Sequence, residues 1–209
     1  MPGRVIALLG AESTGKTTLA IEIGRALAAE GRRVEIVPET LREFCDREGR
    51  TPRRDEQAAI AAEQSRRITE AARLCELVLA DTTALMSAVY SEIVFADRSL
   101  YAQALADQRQ CHLTLLTALD LPWQPDGLQR DGPQVRAPVD ALVRAALQGA
   151  GLPYAVVGGV GPARLGQALQ AVRHALGEPL PEAPGPRWVW VCERCGDPDC
   201  ERHLLAGNT

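Results

Sequence analysis

Residues 5–18 read V-I-A-L-L-G-A-E-S-T-G-K-T-T, and this stretch decides the fold. Residues 5–9 form a short, unbroken apolar run ended by Gly10, the pattern of a strand buried on both faces of a parallel sheet. Residues 17–29 carry Leu19, Ile23, Ala26 and Leu27 at helical spacing, and Gly31 stops the run. Between them Gly10, Ala11, Glu12, Ser13, Thr14, Gly15, Lys16 and Thr17 satisfy G-x-x-x-x-G-K-[ST], with Thr18 following. The motif sits between a strand and a helix, the context that identifies a phosphate-binding loop. Its two glycines let the backbone curl so that successive N–H groups point inward at phosphate oxygens. The helix start adds its positive end. Lys16 is then placed to reach the β- and γ-phosphates and the Thr17 hydroxyl to take one position on Mg²⁺, so ATP with Mg²⁺ is the expected ligand.

Downstream, short apolar runs alternate with helical patterns. Strands are predicted at 34–37, 77–80, 113–116 and 154–157. Helices are predicted at 55–72, 83–90, 100–106 or longer, 139–148 and 163–176, with another beginning near Thr40. A Pro/Gly/Asp-rich loop occupies 120–138. This alternation predicts an α/β protein with an open parallel sheet and helices on both faces. Ligands of such sheets bind beyond the carboxyl ends of the strands. Residues 1–176 form the expected P-loop domain, 177–187 with their four prolines a linker, and 188–209 a small cysteine-bearing tail.

The remaining composition narrows the function class. Of 209 residues, 46% are hydrophobic and 24% charged, which is ordinary for a folded soluble protein. The net charge of −4 and an aromatic content of 4% argue against a nucleic-acid surface. No apolar run approaches the roughly 18 residues of a membrane span, and the N-terminus has no targeting pattern. The six cysteines are not spread as a secreted disulfide framework, so a reducing, cytoplasmic location is expected.

Residues just past the strand ends carry the candidate chemistry. Asp81 closes L-V-L-A-D, the apolar strand plus acid that holds Mg²⁺ directly or through water, and it is also a favoured helix cap. Glu39, after Pro38, is either the base that takes a substrate hydroxyl proton or a cap for the helix near Thr40. Gln57, Ile60, Gln64 and Ile68 share one helix face. Glutamines on that stripe either hydrogen-bond a polar substrate or face an open edge. Trp123 either stacks on a flat, cationic heterocycle or anchors its loop. Arg130 and Arg136 lie in D-G-L-Q-R-D-G-P-Q-V-R, as lid arginines that neutralise a transferring phosphoryl group or as a solvated loop. No N-K-x-D guanine reader is present, and the chain is short for a motor. A small-molecule kinase fits better. Asp97-Arg98-Ser99 echoes a deoxynucleoside-kinase motif away from the ligand edge and is read as coincidence.

Together, G-A-E-S-T-G-K-T-T at 10–18, P-E-T-L-R-E-F at 38–44, D-T-T at 81–83 and W-Q-P-D-G-L-Q-R at 123–130 resemble NadR-type ribosylnicotinamide kinase domains, among P-loop NTPases of AAA-like type. The resemblance covers most of 4–176. It implies phosphorylation of the 5′-hydroxyl of nicotinamide riboside by ATP, giving nicotinamide mononucleotide. It places Lys16 and Thr17 on ATP–Mg²⁺, Glu39 and Asp81 near the 5′-hydroxyl and Arg42 near the substrate. It further places Trp123 beside the nicotinamide ring, Asp126 close to the riboside, and Arg130 and Arg136 in the lid. NadR-type proteins often carry an adenylyltransferase domain before the kinase. Here the first strand begins almost at residue 1, so a stand-alone kinase is expected.

The resemblance does not reach the tail. There Cys192, Cys195, Cys200 and His203 supply four ligands in twelve residues. That set suits tetrahedral Zn²⁺ as a staple for a segment too small for its own core. Free thiols are the alternative. The sequence thus points to a cytoplasmic ATP-dependent kinase of a small nucleoside. Its alternatives are a P-loop kinase of another nucleoside or nucleotide, and a regulatory ATP-binding module whose tail contacts a protein partner.

Overall fold

Five strands form one sheet in the order β2-β3-β1-β4-β5, with every pairing parallel: β1 Arg4–Leu9, β2 Val34–Val37, β3 Leu77–Asp81, β4 Leu113–Thr117 and β5 Ala155–Val157. The computed structural model describes residues 3–124 and 132–179. The chain divides into two compact units, Met1–Glu178 and Pro179–Thr209, and every element named below belongs to the first. The helices are α1 Lys16–Ala29, α2 Thr40–Glu48, α3 Gln57–Leu74, α4 Ala84–Phe95, α5 Tyr101–Gln108, α6 Arg136–Gly149 and α7 Gly161–Ala175.

The period of the strands sorts the core into layers. Ile6 and Leu8 of β1, with Leu77, Leu79, Leu115 and Val157, pack against Leu19 and Ile23 of α1 and Ala168 and Val172 of α7. On the opposite face Leu9 and Leu116 meet Leu85 and Val89 of α4 and Val139, Val143 and Leu147 of α6. Val5, Val37, Val78 and Ala80 meet Ile68 and Ala72 of α3. Helices therefore cover both faces, and the continuous apolar run of β1 is buried on both sides as parallel sheets require. From central β1 the chain runs to one side as β2 and β3, then to the other as β4 and β5. That reversal opens a crevice at the carboxyl ends of β1 and its neighbours. Among the described residues no helix is long and apolar enough to cross a membrane.

Two boundaries near the site differ most from the sequence expectation. α4 continues to Phe95, since Ile93, Val94 and Phe95 extend the apolar pattern past Tyr90. The 120–138 loop is shorter than expected. A 3-10 turn at Pro133–Val135 leads into α6, and Pro138 falls in the first helical turn, where its missing N–H breaks no bond. Arg136 is therefore the first residue of a helix. Asp126 and Arg130 lie outside the described residues, as do Cys192, Cys195, Cys200 and His203.

Candidate active site

The phosphate loop joins β1 to α1. Gly10 has φ +147°, and a Cβ on it would lie 2.0 Å from the Thr117 hydroxyl. Only glycine suits this corner, on backbone and on space. Thr117 ends β4; its hydroxyl lies 3.1 Å from the Leu9 carbonyl and donates to the Thr14 hydroxyl (2.7 Å), while Thr14 donates to the Ala11 carbonyl (2.7 Å). From the other side Arg164 of α7 donates to the Thr14 carbonyl. The loop is thus braced by β4 and α7. Lys16 closes it by donating from Nζ to the carbonyls of Gly10 and Ala11, both at 2.9 Å. Burial lowers the Lys16 pKa. The carboxylates of Glu39, Asp81 and Glu12 act in the opposite direction, and Arg42 adds to the lowering. Lys16 is therefore surrounded by the charged groups that the sequence placed at the strand ends.

At the head of α1 the Thr17 hydroxyl donates to Asp81 Oδ2 at 2.5 Å. The other carboxylate oxygen, Oδ1, is buried without a hydrogen-bond partner among the described residues. A hydroxyl and a carboxylate in contact, one oxygen unspent, fit a hard divalent cation that prefers oxygen ligands. These two residues would hold Mg²⁺.

Beyond β2, Glu39 precedes α2, yet its side chain caps no N–H of that helix. The helix start is served from elsewhere: Gln64 of α3 accepts from Thr40 N at 2.8 Å. The Gln64 amide also donates to the Thr82 carbonyl at 3.4 Å. Both ends of Gln64 are occupied by backbone and it does not line the cavity, so its expected place on the substrate is corrected to a structural clamp. Thr82, directly after Asp81, holds φ +73°, a strained geometry for a β-branched residue that this clamp helps maintain.

A cavity of about 630 Å³ begins at the phosphate loop, where Glu12, Ser13, Thr14, Gly15, Lys16, Thr17 and Thr18 line it. Its lining also includes Glu39, Arg42, Pro52, Arg54, Gln57, Tyr90, Val94 and Phe95. Cys45 also lines it; burial pushes this thiol up, and Glu39 and Asp46 push it further. Of the sequence-predicted residues, Glu39 and Arg42 line the same cavity as the loop. Asp81 stands beside it through Thr17. Trp123 is half-buried and does not line the cavity, although its neighbour Gln124 donates its backbone N–H to Ser13 Oγ at 2.8 Å. Arg136 is only 8% exposed and donates to the Leu121 carbonyl at 2.9 Å. The open-loop setting expected for it is corrected, because α6 begins at that residue and packs it against the preceding loop. Asp97 accepts from Arg54 Nε and Ser99 N, and Arg54 in turn lines the cavity.

Thr117, Arg164, Cys45 and the wall residues at 51–54 and 90–95 were missed from sequence, whereas Gln57 was among the glutamines singled out there. Thr117 alone had a signal, its position at a strand end. The rest are brought in by long-range packing.

A family model described as an AAA domain matches residues 5–164. The chain belongs to this family. In this AAA domain the match ends at Arg164, the residue that braces the phosphate loop from α7. Among solved structures the chain is similar to a NadR protein in complex with NAD and AMP-PNP, with TM-score 0.67, 17% identity, and 90% of this chain and 52% of that chain covered. It is also similar to a NadR protein in complex with NR, with TM-score 0.68, 20% identity, and 86% and 52% covered. The AAA domain thus shares the α/β P-loop fold of these proteins and spans about half their length. No curated protein matches it significantly.

Proposed function

We propose that the chain is an ATP-dependent kinase that transfers the γ-phosphoryl group to a hydroxyl of a small nucleoside, with nicotinamide riboside as the acceptor. The supporting observation is one cavity lined in common by the phosphate loop, Glu39, Tyr90 and Phe95. A nucleotide triphosphate on the loop and a second molecule against Tyr90 and Phe95 would share it with Glu39. The nicotinamide riboside assignment rests on the motif resemblance and on likeness of fold to the NadR proteins.

In this reading the loop N–H groups and Lys16 bind the β- and γ-phosphates. Thr17 and Asp81 hold Mg²⁺, which when bound supplies positive charge to the phosphate oxygens. The acceptor oxygen forms a bond to the γ-phosphorus while the bond to the β–γ bridging oxygen breaks, releasing ADP. Glu39 takes the hydroxyl proton. Glu39 is favoured over Asp81 as the base, because Glu39 lines the cavity while Asp81 is held by Thr17. Asp126 by the riboside and Arg130 as a lid group enter on the resemblance; Trp123, outside the cavity lining, and Arg136, packed on the Leu121 carbonyl, are given no part in it. The tail set of Cys192, Cys195, Cys200 and His203 is proposed to bind one Zn²⁺ on ligand spacing, as a surface for a protein partner.

An ADP-release assay with Mg-ATP and a nucleoside panel tests this, run on protein whose zinc content has been measured. Turnover dependent on nicotinamide riboside, with one zinc per chain, is expected. ATP binding without any acceptor-dependent turnover would instead mark a regulatory module.

A further inference from the structure

Two glutamines on one stripe of α3 have different fates. Gln64 spends both ends on backbone, at Thr40 and Thr82. Gln57, two turns earlier and the first residue of α3, is 4% exposed and lines the cavity. Its Oε1 is buried and has no hydrogen-bond partner among the described residues. Buried carbonyl oxygens are almost always satisfied, because a lone one forfeits its bond to water and receives nothing in return. An unspent acceptor on a cavity wall is satisfied when a ligand brings an N–H or O–H to it. Gln57 follows Pro52 closely in the chain, and α3 packs against α4, which carries Tyr90, Val94 and Phe95. Pro52, Tyr90, Val94 and Phe95 line the same cavity and suit a flat ring, whereas the reacting hydroxyl belongs with Lys16 and Glu39.

We infer that Gln57 is a specificity residue that accepts a hydrogen bond from an exocyclic N–H of carboxamide type on the ring of the acceptor. The inference rests on the kinase reading above and names the group by which the site selects its acceptor. A carboxamide brings the N–H that Oε1 lacks. The corresponding carboxylate brings none and sets oxygen against oxygen. The selection is one of polar complementarity, which discriminates better than apolar fit.

Initial-rate kinetics on wild type, Gln57→Leu and Gln57→Glu, with nicotinamide riboside and its carboxylate analogue as acceptors, test the assignment. Thermal unfolding of each ligand-free protein accompanies them. Wild type is expected to prefer the carboxamide. Gln57→Leu should raise KM for the carboxamide about five- to tenfold, as loss of one neutral hydrogen bond does, with KM for ATP unchanged. The preference should collapse. Gln57→Glu keeps an acceptor oxygen and should retain the preference. The ligand-free Leu variant should melt no lower than wild type, since it removes an orphaned oxygen. An active wild type whose carboxamide preference and KM survive Gln57→Leu would overturn this assignment and leave the kinase reading standing. A lowered melting temperature with equal loss on both acceptors would make Gln57 structural and also overturn it. A wild type that phosphorylates neither acceptor would remove the nicotinamide riboside reading and this inference together.

Discussion

Glu39 follows β2 and Asp81 ends the neighbouring β3, with Val37 in register against Ala80, and both carboxylates act on the charge of Lys16. Their surroundings divide the work between them. Asp81 is buried and holds the Thr17 hydroxyl at 2.5 Å, so its charge is tied to the head of α1. Glu39 faces the cavity and caps no helix N–H. Removing each charge should therefore fail in a different way. Glu39→Gln is expected to lower kcat by about 10²–10⁴, the usual worth of a positioned base, while ATP still binds. Asp81→Asn should raise the Mg²⁺ concentration needed for half-maximal rate and weaken ATP binding, because it strips charge from the metal seat. Steady-state rates across a Mg²⁺ titration, with nucleotide binding measured separately, distinguish the two. A Glu39→Gln protein of wild-type kcat would end the assignment of Glu39 as base.

At the scale of elements, α3 fixes the distance between these two groups. Gln64 receives the N–H that starts α2 and reaches the carbonyl just after Asp81, so one buried side chain fastens the Glu39 segment to the Asp81 segment. Gln64→Leu would leave a buried N–H and a buried C=O without partners, at about 1–3 kcal/mol each. Urea unfolding should show a loss of about 2–6 kcal/mol, and kcat should fall with KM for ATP little changed. Wild-type stability in that variant would refute the clamp. The same helix shows why part of the site was legible in sequence and part was not. The phosphate loop is a local motif, in which strand, glycine corner and helix are adjacent in the chain, so residues 10–18 could be placed at once. Glu39 and Asp81 followed from the rule that ligands gather past strand ends. The stripe of α3 was also legible as a face, but a helical period says nothing about which turn of that face lies under β3 and which opens on a cavity. That depends on how α3 packs against α2 and α4, a tertiary arrangement that a helical period does not encode. Hence both glutamines were candidates for the substrate, and the fold puts Gln57 on the cavity wall and Gln64 on backbone groups. Arg136 shows a second limit. Its Gly/Pro-rich surroundings read as loop, whereas a proline in a first helical turn is equally at home.

Over the whole first unit, the loop that binds phosphate is the junction of most of the fold. It hangs from central β1, is bonded to β4 through Thr117, is braced by α7 through Arg164, and feeds α1. A ligand held there engages both sides of the sheet and exists only when the sheet is formed. It should therefore stabilise the native state by mass action, about 2.7 kcal/mol at a hundredfold excess over Kd. For a unit of this size each kcal/mol moves Tm by about 2–4 °C, so saturating Mg-ATP should raise the melting temperature by about 5–11 °C. Lys16→Met should abolish most of that shift, because it removes the cation that reaches the phosphates. Its own melting temperature without ligand should not fall much, since burial already disfavours the charged amine that it replaces. Chelating Mg²⁺ should shrink the wild-type shift by weakening the Thr17–Asp81 contribution. Thermal scans of the two proteins with ATP, with Mg-ATP and with neither read all three effects. An equal Mg-ATP shift in wild type and Lys16→Met would place nucleotide binding somewhere other than this loop, and the kinase reading would fall with it.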